Sequence, residues 1–164
     1  MSFYLRFLGG GLVMIAAMIT SGEYSAYAKR RLSQYSGLVA LLSHMEGMIS
    51  RFLASGDGLW RGFENEALES TGLLSSLKEG KSLAAAFSEC EGKFALTKEA
   101  KGRIGDFLAG LGRGYRSGEL EMISAFRASL EKEMAEEQQS LEKSVKITRA
   151  LLLGGALAFL IMII

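Results

Sequence analysis

The chain is 164 residues long and carries 19 Lys and Arg against 18 Asp and Glu, a formal net charge of +1. So even a balance excludes the broad positive field that nucleic-acid binding needs, and the length excludes more than one sizeable core. There is no proline and a single cysteine, which excludes an intrachain disulfide and favours long helices without internal breaks.

The first segment, residues 3–22, is apolar apart from Arg6. As a helix it reaches roughly 30 Å, the thickness of a hydrocarbon core, with Arg6 near its start able to snorkel to the headgroups. A transmembrane helix is predicted here. Beyond it, Leu32, Tyr35, Val39, Leu42, Met45, Ile49, Phe52 and Leu53 repeat at threes and fours, which is one apolar face of a helix. Only Gly22 and Gly37 interrupt the helix formers. The pattern therefore reads as one long helix, or two nearly collinear ones, ending at Ser55-Gly56-Asp57-Gly58.

Shorter elements follow. Leu59, Trp60, Phe63, Ala67 and Leu68 predict a helix up to Ser70-Thr71-Gly72. Leu73, Leu74 and Leu77 predict another, ending at Gly80. Ser82 is expected to cap Leu83–Cys90. Thr97 is expected to cap a helix lined by Ala100, Ile104, Phe107, Leu108 and Leu111, with Glu99 and Arg103 placed as an i,i+4 pair. Gly110, Gly112, Gly114 and Gly118 mark a turn. From Leu120 through Ile123, Phe126, Leu130, Met134, Leu141 and Val145 the last helix runs into a second apolar end, and is expected to exceed about 40 residues. Ala150–Ile164 alone is short of a span, but snorkelling by Lys146 and Arg149 brings it close. No segment alternates with period two, so no sheet is expected.

The predicted architecture is all-α: a membrane-anchored bundle of about five or six helices. A transmembrane helix over 3–22 and another over 147–164 flank a helical domain over 23–146. Orientation follows from flanking charge. Lys29, Arg30 and Arg31 follow the first segment, and Lys143, Lys146 and Arg149 precede the second. The positive-inside rule places the domain between them in the cytoplasm. Gly9 and Gly10 on one segment, and Gly154 and Ala158 on the other, are candidates for close membrane-helix packing. In a rival reading, Ala26-Tyr27-Ala28 is a signal-peptidase site, although Lys29-Arg30-Arg31 directly after it resists translocation.

The search for chemistry returns little. Gly80-Lys81-Ser82 has the end of a phosphate-binding loop, but Ser75 stands where that motif needs a glycine and no strand precedes it. Gly110-Leu111-Gly112-Arg113-Gly114 has Tyr115 where a dinucleotide fingerprint has its third glycine. Both read as turns. His44 is the only histidine and Cys90 the only cysteine, so neither a zinc site nor a cofactor is expected. The carboxylates Glu89 and Glu91 beside Cys90 disfavour its thiolate. No catalytic residue is assigned, and an enzyme is not expected. Glu119, Glu121, Glu131, Glu133, Glu136, Glu137 and Glu142 give the last helix an acidic bias, read as a solvated surface or as a docking face for a basic partner.

The order of features resembles the stage III sporulation protein AB family. The carriers are the N-terminal apolar helix followed by Lys29-Arg30-Arg31-Leu32, the leucine-rich helix through Ile49, and the short-helix region with Phe63. After these come Phe107 and Leu111-Gly112, then Gly118-Glu119-Leu120-Glu121-Met122-Ile123. The long Glu/Lys helix leading into Leu151-Leu152-Leu153-Gly154-Gly155 completes the set. The resemblance implies a bundle similar to the cytoplasmic F domain of type II secretion platform proteins. It implies a non-enzymatic part of a channel complex between mother cell and forespore, on the mother-cell side of the forespore membranes. It also implies a secretion-type ATPase and other membrane proteins as partners, beside the bilayer itself and a possible second copy of the chain. Two alternatives stand beside it: a platform module of another secretion or pilus machine, and a membrane-tethered enzyme using His44 or Cys90.

Overall fold

The structure is a computed structural model that describes residues 2–52, 59–112 and 116–163. Within these it describes every side chain except those at 2–21, 24, 52, 116, 149, 152, 153 and 156–163. The Ser55–Gly58 turn and Gly114 lie outside the described residues. Every element is helical, and no strand occurs among the described residues. Helix α1 runs Ser2–Phe52, α2 Glu66–Thr71, α3 Leu73–Lys78, α4 Leu83–Cys90, α5 Lys98–Gly110 and α6 Arg116–Ile163, with a 3₁₀ turn over Glu91–Lys93 between α4 and α5. The unbroken 51-residue α1 and 48-residue α6 are what a proline-free chain of good helix formers favours.

The chain divides into two units, Arg30–Glu136 and a second made of Met1–Lys29 with Glu137–Ile164. The first holds the core. Spacings of three and four bring Tyr35, Leu38, Leu42, Met45 and Ile49 to the buried face of α1. They share one cluster with Leu68 of α2, Leu73 and Leu77 of α3, Phe87 of α4, Ile104 of α5, and Ile123 and Leu130 of α6. The Phe107 and Phe126 rings stack with centroids 4.0 Å apart and planes 7° from parallel, joining α5 to α6.

The short helices are set by their ends. Ser82 Oγ accepts from Ala85 N at 3.3 Å and Thr97 Oγ1 from Ala100 N at 3.2 Å, as expected of both caps. α2 begins later than its apolar residues suggested. Asn65 Oδ1 accepts from Leu68 N at 3.1 Å and caps it. Leu59–Gly62 forms a turn instead of a helix start, closed by Phe63 N donating to Trp60 O at 3.1 Å. Gly62 there takes φ +78, a conformation that a helix does not allow. Gly72, at φ +85, ends α2 and opens α3. Gly118, expected in a turn, lies inside α6.

In the second unit, residues 3–22 and 147–163 are helical as expected, and Ile164 lies outside the described residues. Among the described residues no helix is long and apolar enough to cross a membrane, so the two transmembrane assignments gain no support from the structure. Most side chains that carry those assignments lie outside the described residues.

Candidate functional site

The basic cluster after the first apolar segment has a task inside the fold. Arg30, Arg31 and Gln34 lie on α1 at spacings that turn them toward the connection between α4 and α5. Arg31 Nε donates to Ala95 O at 3.0 Å, and Arg30 Nη2 donates to Lys93 O at 3.4 Å. Gln34 grips the same stretch from both ends of its amide. Its Oε1 accepts from Ala95 N at 2.7 Å and its Nε2 donates to Lys93 O at 3.5 Å. The gripped connection follows a 3₁₀ turn, closed by Phe94 N donating to Glu91 O at 3.2 Å, and is extended at Phe94, so Lys93 O and the backbone groups of Ala95 look outside the helices for partners. Gln34 is only 1% exposed and Ala95 5%. Burial of this polar stretch is tolerable because α1 supplies the bonds that water would otherwise make.

Of the residues assigned to topology, Arg30 and Arg31 thus bond to the α4–α5 connection, while Lys29, Lys143 and Lys146 are exposed. The Arg149 side chain lies outside the described residues. Gly154 is exposed, with open space where a Cβ would stand. Nothing in the structure brings it together with Gly9, Gly10 or Ala158, whose surroundings lie outside the described residues.

The acidic bias of α6 is partly internal. Glu133 Oε2 accepts from the Tyr35 hydroxyl at 3.3 Å, and Glu133 Oε1 pairs with Arg103, so one carboxylate ties α6 to both α1 and α5. The hydrogen bond to Glu133 raises the Arg103 pKa above its ordinary value. Arg103 was expected to pair with Glu99 along its own helix, but Glu133 offers the hydrogen bond. Arg127 pairs with Glu46 of α1 at 3.3 Å and with Glu131 at 2.7 Å. Glu133 is therefore engaged in packing α6 on its neighbours, and Glu131 pairs within α6 with the Arg127 that reaches α1. Replacing Glu133 by Gln is expected to cost about 1 kcal/mol and to make stability less dependent on salt, because the ion pair is half-exposed. Urea melts at low and high salt measure both effects.

The other sequence candidates take structural roles. Gly80, at φ +87, ends the turn after α3. Lys81 pairs with Glu79 at 3.1 Å and Glu89 at 2.7 Å, leaving nothing shaped for a phosphate. Leu111-Gly112 is a turn with Gly112 at φ +81; residues 113–115 lie outside the described residues. Cys90 is buried, and burial pushes its thiol pKa up, away from the thiolate a nucleophile needs. The His44 ring lies 5.4 Å from that of Phe63, and its buried Nε2 has no hydrogen-bond partner among the described residues. No group of His, Cys, Asp and Glu among the described residues is arranged to hold a metal ion.

Two further residues, Gln34 and Gly37, carry much of this arrangement. Gln34 sits in the three-and-four spacing of the buried face, between Arg31 and Leu38, and that placement was the available signal. Gly37 faces α2 so closely that a Cβ there would lie 2.7 Å from Asn65 Oδ1 and 3.0 Å from Leu68 Cγ. Nothing in the sequence around Gly37 separates a close approach from a helix weakness.

The protein-family model for stage III sporulation protein AB matches residues 6–164. The chain belongs to the stage III sporulation protein AB family. The match takes in both apolar ends and all of the Arg30–Glu136 unit, so the resemblance carried by order and spacing holds over the whole chain. A role in stage III of sporulation goes with the family. No curated protein and no solved structure gives a match.

Proposed function

We propose that this stage III sporulation protein AB family member is a non-enzymatic structural component of a membrane complex, acting between mother cell and forespore as a platform for a cytoplasmic secretion-type ATPase. The observation that carries the reading is the family match over residues 6–164. The sequence supports the membrane part. Phe7–Ser21 and Ala150–Ile164 contain no charged residue, and cations flank each on its inner side, the arrangement that holds a domain in the cytoplasm. Exposed Ile147 and Leu151, four residues apart on α6, suit a lipid boundary better than water. The polar ties among α1, α5 and α6 suit a part that bears load, since satisfied polar networks rigidify the packed bundle they join.

Co-purification tests the reading. Full-length protein extracted from sporulating cells with mild detergent is expected to bring down the secretion-type ATPase made at the same stage. It is also expected to resist extraction from membranes by alkaline carbonate. Loss into the carbonate supernatant contradicts the membrane anchor, and absence of the ATPase contradicts the platform.

A further inference from the structure

One face of α6 changes character within a single turn. In the unit made of Met1–Lys29 with Glu137–Ile164, Lys143, Lys146, Ile147, Ala150, Leu151 and Gly154 are all exposed, and spacings of three and four place them on one stripe of the helix. Leu141, Ser144, Val145 and Thr148, on the other side, are half-buried. Up to Lys146 the stripe is cationic; from Ile147 onward it is apolar. Ile147 is 59% exposed and Leu151 70%. Neither lysine has an ion-pair partner among the described residues. Glu142, on the flank of the stripe, accepts from Gln138 Nε2 at 3.5 Å, and no Asp or Glu follows it in the sequence. Glu23, the unit's other exposed carboxylate, is on α1.

We propose that this stripe of α6 lies against anionic phospholipid, with the lipid–water boundary at the step from Lys146 to Ile147. Lys143 and Lys146 hold acidic headgroups, and Ile147 and Leu151 enter the acyl chains. Charge and apolar surface are ordered as a leaflet orders them. The two lysines lie roughly 4.5 Å apart along the helix axis, within the depth of one headgroup layer. Each ammonium is a point charge on a flexible stem that reaches a phosphate while the helix stays in register. Unpaired cations of one sign select anionic over zwitterionic headgroups. The apolar half of the stripe continues into Ala150–Ile164, which contains no charged residue, so it suits acyl chains along its whole length. The proposal rests on the reading of the chain as a membrane component and names the lipid class that one of its faces meets.

The test uses the full-length protein reconstituted in vesicles of phosphatidylcholine with phosphatidylglycerol as the minor lipid. Leu151→Trp is the reporter, at an exposed site, and Trp60, the only native tryptophan, is changed to Phe. Ile147→Trp serves as a second reporter. Bromine on the acyl chains of one lipid or the other quenches a tryptophan that touches that lipid. Flotation comes first: protein that stays out of the vesicles contradicts the membrane reading itself, and the proposal with it. In protein that floats, the reporter is expected to meet phosphatidylglycerol at least about threefold more often than its bulk share, from the attraction of two surface lysines. Lys143→Gln combined with Lys146→Gln is expected to bring that ratio close to bulk while flotation is unchanged. Raising the salt concentration is expected to act in the same direction. Quenching by the two lipids in proportion to their amounts, or an enrichment that survives the double substitution, would overturn the proposal and leave the membrane anchor standing. So would the absence of quenching by either lipid in protein that floats, which would assign the stripe to a second copy or another protein.

Discussion

Gly37→Ala is expected to destabilise the Arg30–Glu136 unit by about 3 kcal/mol, an unusually large effect for adding one methyl group. On a free helix the same change would stabilise, since alanine is the better helix former. Here the added Cβ would stand 2.7 Å from Asn65 Oδ1 and 3.0 Å from Leu68 Cγ. Leu68 is fully buried and cannot move without displacing the core. Asn65 Oδ1 accepts from Leu68 N at 3.1 Å, so moving it uncaps α2. Overpacking of about 1–3 kcal/mol and a lost cap of about 1 kcal/mol act together, and both outweigh the gain in helix propensity. Gly47 is the control, because its Cβ position is open; Gly47→Ala is expected to be neutral or mildly stabilising. Denaturant melts of the two variants in the same detergent decide the matter, and equal stability would show that α1 and α2 are not in close approach.

Gln34→Ala is expected to cost about 2 kcal/mol, because it leaves the buried Ala95 N–H without its partner. Loss of packing alone would give a cost of similar sign, so the volume-conserving Gln34→Met separates the two. Methionine fills the space but accepts no useful hydrogen bond. If the amide bonds to Ala95 N and Lys93 O are what hold the connection, Met is expected to destabilise nearly as much as Ala. The effect should also be local. Amide exchange at Ala95 should speed by roughly 30-fold in both variants, the rate equivalent of about 2 kcal/mol, while amides in the middle of α5 change less. A Gln34→Met variant with wild-type stability and wild-type exchange at Ala95 would show that the grip of α1 on this connection contributes nothing.

Much of the fold was legible because it rests on local rules. The 51-residue α1 and 48-residue α6 follow from helix formers and the absence of proline. The starts of α4 and α5 follow from Ser82 and Thr97, whose side chains reach only three residues along the chain. The failures are non-local or come from competition between local signals. Trp60 and Phe63 have helical spacing, yet Gly62 and the Asn65 cap divide that stretch into a turn and a shorter helix. Arg103 has a helical partner in Glu99, yet Glu133 lies across the bundle, 30 positions away. The bonds of Arg30 and Arg31 to the α4–α5 connection went unread because their partners, Lys93 and Ala95, lie more than 60 residues further on. The family was legible, because order and spacing survive where individual motifs are weak.

On the proposed reading, the Arg30–Glu136 unit faces the cytoplasm from a membrane. The native thiol is a poor probe, since Cys90 is buried, but Ser88, two residues earlier on α4, is exposed. The most direct measurement is labelling of a Ser88→Cys variant with a membrane-impermeant maleimide, in intact sporulating cells and after permeabilisation. No labelling is expected in intact cells and full labelling once the membrane is opened, with the protein in the membrane fraction throughout. Labelling of intact cells would place the unit outside, restore cleavage after Ala28 as the better reading of the N-terminal segment, and contradict the ATPase platform.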